Sequence, residues 1–124
     1  MTLRLYVVTR DDLDPCHQAV QAVHAALDWA LAHPDLHGAW ARASNTLALL
    51  AVRDEATLFD LARRARRRAL PMMEFREPDR GHELTAICLG AGEEAERLCA
   101  RLRPALGAPP APDAEAVDTG PGPG

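Results

Sequence analysis

His17, Gln21, His24 and Asp28 follow one another at spacings of 4, 3 and 4. At about 100° per residue, that spacing puts all four side chains in one narrow stripe of a helix. An imidazole can move a proton near neutral pH and an amide beside it can orient a water, so the stripe holds residue types suited to acid–base chemistry. Apart from Pro15, Cys16 and Gln18, the rest of the stretch from Pro15 to Ala32 is Ala, Val, Leu or Trp. A helix of that composition is expected to be packed on most sides, with the stripe facing a cleft or a partner; the plainer alternative is a helix whose single wet face is this one. A second polar concentration is Phe75-Arg76-Glu77-Pro78-Asp79-Arg80-Gly81-His82-Glu83-Leu84-Thr85. It links two apolar segments, and ligands in α/β sheets gather at strand ends, although an ordinary charged hairpin loop has the same composition. A third is the run Arg63, Arg64, Arg66, Arg67 and Arg68, either a solvated helix face or a phosphate-contacting patch through Arg64, Arg67 and Arg68. It has no interleaved aromatics to stack bases.

Other chemistries find less support. Cys16 and His17 are neighbours and point about 100° apart on a helix, a poor geometry for a thiol and its base. His17 and His24 lack the i, i+4 spacing of a helical zinc pair. The chain carries no glycine-rich phosphate loop and no G-x-S-x-G elbow. No metal and no cofactor is expected.

The elements that must position these residues are legible in outline. Leu3–Val8 is a short apolar strand, and Asp14-Pro15 is an N-cap with proline at the first helical position. The helix then runs from Pro15 to about Ala32, before Pro34. Residues 33–44 are expected to be a long connection, polar apart from Leu36 and Trp40. Thr46–Val52 is a second strand, and Asp54 caps a helix whose apolar face is Leu58, Leu61, Ala65 and Ala69. Pro71–Arg76 and Leu84–Leu89 are strands joined by a turn over Glu77–His82. A last helix over about Glu93–Arg103 is stopped by Pro104 and carries acids in its first turn and arginines in its last. The order β-α-β-α-β-β-α, with nearly continuous apolar strands, predicts an α/β fold: a three-layer α/β/α sandwich around a mixed four-stranded sheet.

A chain of 124 residues is long enough for one domain. Residues 1–106 are assigned to it, and residues 107–124, rich in Pro, Gly and Ala, are expected to be a disordered tail. The formal charge is −4, but three of the 18 acids (Asp113, Glu115, Asp118) lie in that tail. The folded part is then close to neutral, so any nucleic-acid binding must use a local patch. Every formal cation is arginine. Three cysteines form neither a disulfide framework nor a CxxC pair. No signal-peptide core and no apolar run of about 18 residues is present, which predicts a soluble, cytoplasmic protein with no membrane partner.

Taken in order, Val7-Val8-Thr9-Arg10-Asp11-Asp12-Leu13 and Gln21-Ala22-Val23-His24-Ala25-Ala26 resemble the opening of type II peptidyl-tRNA hydrolases: a strand ending in V-x-R-x-D-L, then A-A-Q-x-x-H-A-A. Glu77-Pro78-Asp79-Arg80 leading to Leu84-Thr85-Ala86-Ile87 is similar to a divergent bacterial and phage branch with an E-P-D turn. The resemblance covers Leu3 to Leu106. It implies hydrolysis of the ester joining a peptide to the 3′ ribose of tRNA, with tRNA or peptidyl-tRNA as partner and a homodimer as assembly. By position, Asp12, Gln21 and Thr85 match the family's residue types, Arg80 stands at its arginine, and Glu77 stands where it has aspartate. On that basis His17, Gln21, Glu77 and Thr85 are the catalytic candidates. Asp12, His24, Asp79, Arg80, Arg64, Arg67 and Arg68 are the candidates for substrate binding. The departure is His17, where the family has a lysine, after a turn about two residues shorter. Imidazole, with an ordinary pKa of about 6.5, is largely neutral where an ammonium is charged. Either His17 works as a base or orienting donor, or the fold serves as a non-catalytic module that binds tRNA or a partner. A small-ligand domain of ferredoxin-like type fits less well, because its βαββαβ order differs.

Overall fold

The computed structural model describes residues 3–107; the predicted tail, but for Gly107, lies outside them. Among these residues five strands form one mixed sheet in the order β3-β4-β1-β2-β5. They are β1 (Arg4–Arg10), β2 (Thr46–Val52), β3 (Met72–Glu77), β4 (Glu83–Leu89) and β5 (Arg103–Pro104). β1 and β2 run parallel, and the other three pairings are antiparallel. Among the described residues four α-helices complete the fold: α1 (Pro15–Ala32), α2 (Pro34–Ala43), α3 (Glu55–Arg67) and α4 (Glu93–Cys99).

Alternation along the central strand divides the core in two. Tyr6 and Val8 pack with Leu58, Leu61, Ala65, Leu98 and Cys99 of α3 and α4. Leu5 and Val7 pack on the other face with Ala22, Ala25 and Trp29 of α1 and Trp40 of α2. The expected α/β class and covered sheet are therefore present. Asp14 and Asp54 cap α1 and α3 as their sequence positions predict, accepting the backbone N–H of His17 and Thr57, each at 2.9 Å.

Four expectations are corrected. Residues 33–44 are not a connection: Pro34 ends α1 and also occupies the first turn of α2. Trp40 supplies the anchor, 7% exposed, with its indole N–H donating to the Thr46 carbonyl at 2.8 Å. The last helix ends at Cys99 instead of Arg103, and the sheet has five strands instead of four. Pro104 disfavours helical backbone at Arg103, the residue before it, so the chain there is free to join the sheet. Arg103 becomes extended, its segment pairs with Leu50 and Ala51 of β2, and its guanidinium reaches Asp11. Finally, α3 stops at Arg67, and Ala69 is exposed at φ 55° instead of extending the apolar face.

α1 is also less enclosed than its composition suggests. It lies over β4, β3 and β1, leaving its flank towards β2 uncovered. Val20, Val23, Leu27 and Leu31 are between 46% and 82% exposed. Gln18 and Gln21 are on the buried side with Ala22, Ala25 and Trp29.

Trp29 makes one glycine indispensable. A Cβ on Gly90 would lie 2.4 Å from Trp29 Cζ2 and 3.1 Å from Leu5 Cδ1. The indole cannot swing away, being fully buried with its N–H donated to the Pro71 carbonyl at 3.0 Å. Gly90→Ala is expected to lower the unfolding free energy by about 1–3 kcal/mol through overpacking, measured by urea denaturation. A variant as stable as the parent would mean that the Trp29 site relaxes freely.

Candidate functional site

The register brings one end of the sheet together. Arg10 pairs with Val52 at the C-terminal ends of the parallel strands, and Glu77 pairs with Glu83 where β3 turns into β4. The turn is a single 3-10 turn over Pro78–Arg80, followed by Gly81 and His82 at φ 66° and 64°. The N-terminus of α1 starts from this end as well. His17, Gln21, Glu77, Asp79, Arg80 and Thr85 thus come to one rim, with Asp12 behind it. Arg64, Arg67 and Arg68 do not: α3 begins beside Val52 and carries them to the opposite end, where β3 starts. There Arg64 pairs with Asp60 at 3.3 Å and Arg68 with Glu94 at 3.6 Å. They form no part of this rim.

A hydrogen-bonded chain runs from the core to the rim. The Thr9 hydroxyl donates to the Thr85 carbonyl at 2.8 Å, and the Thr85 hydroxyl donates to Gln21 Oε1 at 2.7 Å. Gln21 Nε2 in turn donates to Glu77 Oε1 at 2.9 Å. The direction is fixed from the surface inward. An ionised carboxylate only accepts, so the Gln21 amide must present its N–H to Glu77 and its oxygen to Thr85. Thr9, Gln21 and Thr85 are at most 2% exposed, so all of the chain except Glu77 is shielded from water. The Asp79 backbone N–H also donates to Glu77, at 3.1 Å. That amide first, then the Gln21 side chain, then the nearby His24 and His17, hold the Glu77 carboxyl below the usual glutamate range. Glu77 is thereby an orienting acceptor and a weak base.

Thr85 reaches Gln21 because β4 contains a bulge. Phe75 pairs with Ala86 and Arg76 with Leu84, so Thr85 has no residue opposite it on β3. Without that insertion, Leu84 and Ile87 could not face the same side, yet both pack in the α3–α4 core while Ala86 and Cys88 pack under α1. The extra residue turns Thr85 to the α1 side.

His17 lies one turn before Gln21, exposed, with its Nδ1 2.6 Å from Asp14 Oδ2. The backbone and side-chain bonds from His17 hold Asp14 ionised, below the usual aspartate range. An ionised carboxylate only accepts, so the His17 Nδ1 bonded to it carries a proton. His24, a further turn along, stacks on Phe75 with ring centroids 4.6 Å apart. Asp79 is exposed, and its neighbour Arg80 pairs with Glu83 at 3.4 Å.

Asp12 is committed elsewhere. Arg10 grips it with two bonds, Nε to Oδ1 at 2.9 Å and Nη2 to Oδ2 at 3.0 Å, and also donates to Glu83 at 2.9 Å and to the Leu84 carbonyl at 3.1 Å. Its place is in a buttress behind the rim. Sequence reasoning did not single out Arg10, Thr9, Asp14's bond to the His17 ring, or Glu55, which accepts the Leu84 N–H at 2.9 Å. The one available signal was Arg10 itself, a charge at the end of an apolar strand directly before two acids.

No protein-family model matches this chain, and no curated protein matches it.

Proposed function

We propose that the chain hydrolyses the ester between a peptidyl or aminoacyl group and the 3′ end of tRNA, as its resemblance to type II peptidyl-tRNA hydrolases implies. The observation that carries the proposal is the chain Thr85–Gln21–Glu77, ending beside His17. It joins three positions where the resemblance places catalytic residues into one preorganised unit. The chemistry is acyl transfer to water. His17 Nε2 takes a proton from a water as its oxygen attacks the ester carbonyl, with Asp14 balancing the charge on the ring. Glu77 orients the water, and Arg80 and His24 offer donors to the developing oxyanion. Collapse breaks the bond to the ribose oxygen, which takes the proton back from His17.

The test is hydrolysis of a peptidyl-tRNA, with binding of uncharged tRNA as control. Thr85→Val, which keeps volume but strips the donor from Gln21, is expected to reduce the rate about tenfold or more while tRNA binding persists. Binding without hydrolysis by the parent chain would instead favour the non-catalytic module. The exposed stripe Val20, Val23, Leu27 and Leu31 supports a protein contact in either case, and the homodimer is its simplest occupant.

A further inference from the structure

We infer that Glu55 is a positioning residue for the rim: from α3, on the opposite face of the sheet, it holds the β4 bulge that aims Thr85 at Gln21. The inference rests on the proposed function for its kinetic arm only. A bulge leaves backbone groups without ladder partners, and each must be satisfied or the strand slips back into alternation. At this bulge three side chains from two elements close the account. Glu55 Oε2 accepts the Leu84 N–H at 2.9 Å, Arg10 Nη1 donates to the Leu84 carbonyl at 3.1 Å, and the Thr9 hydroxyl donates to the Thr85 carbonyl at 2.8 Å.

Glu55 holds the only donor in this set. Arg10 and Thr9 leave carbonyl oxygens, which tolerate partial satisfaction, whereas an orphaned buried N–H is rare. Leu84 is fully buried, so water is a poor substitute. With the carboxylate gone, the Leu84 N–H is satisfied most readily by β3, and the one-residue slip returns Thr85 towards the α3 face. Gln21 would then lose the donor that fixes its amide, although Glu55 touches neither residue. Asp54 already caps α3, so loss of Glu55 leaves the helix start intact.

Three variants test this. Glu55→Ala is expected to speed hydrogen exchange of the Leu84 amide at least tenfold relative to Ile87, to abolish the cross-relaxation between the Thr85 methyl and the Gln21 side-chain amide, and to lower kcat about tenfold at unchanged KM. Glu55→Asp, one methylene short but equally charged, is expected to share these changes. Glu55→Gln keeps an acceptor at the same reach and is expected to behave like the parent. A protected Leu84 amide with an intact Thr85–Gln21 contact in Glu55→Ala or Glu55→Asp would overturn the inference. A parent chain with no hydrolysis would remove the proposed function while the exchange and cross-relaxation arms still decide the role of Glu55.

Discussion

Arg10→Met is expected to lower the unfolding free energy by about 2–4 kcal/mol. The guanidinium is 6% exposed and makes four bonds, three to the carboxylates of Asp12 and Glu83 and one to the Leu84 carbonyl. Removing one member of such a set usually leaves a buried charge behind, at about 3–5 kcal/mol. Here the stranded carboxylates are 40% and 37% exposed and can rehydrate, which moves the expectation about 1 kcal/mol below that range. Met retains the apolar stem, so the loss reads out charge and hydrogen bonding more than packing. Urea denaturation measures it through the midpoint at constant slope. A shift below about 1 kcal/mol would mean that the buttress is a rim contact of the ordinary weak kind.

The same variant has a pH signature. Glu83 is held below the usual glutamate range, first by its bond from Arg10. A carboxyl with a lowered folded pKa adds stability above its unfolded value, 4.5 for glutamate, and that stability is lost as pH falls through the folded one. Asp14, Asp54 and Glu77 contribute with the same sign. The parent should therefore lose stability on acidification from about pH 4.5 downward, and Arg10→Met should lose it less steeply because the Glu83 part is already gone.

What could be read from the sequence was what local pattern controls. The caps at Asp14 and Asp54 and the bounds of α1 and β2 follow from adjacent residues, and they were placed as found. The errors arose where a residue has two meanings. Pro34 reads as a stop and is also a start; Pro104 reads as the end of a helix, and the residue before it lies in a strand. The site shows the same division. The stripe spacing put His17 and Gln21 one turn apart, but which groups they bind depended on non-local events. The bulge that turns Thr85 leaves no mark in its own seven residues. Asp12, the plainest acid of the first motif, was drawn off by an arginine two positions away.

His17→Ala is expected to reduce hydrolysis of peptidyl-tRNA about a hundredfold or more, the scale of losing a general base. The argument is geometric. Asp14 takes both the backbone N–H and the ring Nδ1 of His17, so one carboxylate caps α1 and fixes the imidazole tautomer. Proton removal then falls to Nε2, on a ring one helical turn before Gln21. Asp14→Asn separates the two duties of the cap. Asparagine caps a helix about as well as aspartate, so stability should change little. It cannot balance the charge that the ring gains with the water's proton, and the rate should fall about tenfold. His17→Lys should not recover the rate between about pH 5.5 and 8.5, because an ammonium stays protonated across that window and has no lone pair to take the proton. Full hydrolysis by His17→Ala throughout the window would place the base elsewhere on the rim. Equal loss of stability and rate in Asp14→Asn would reduce Asp14 to a cap alone.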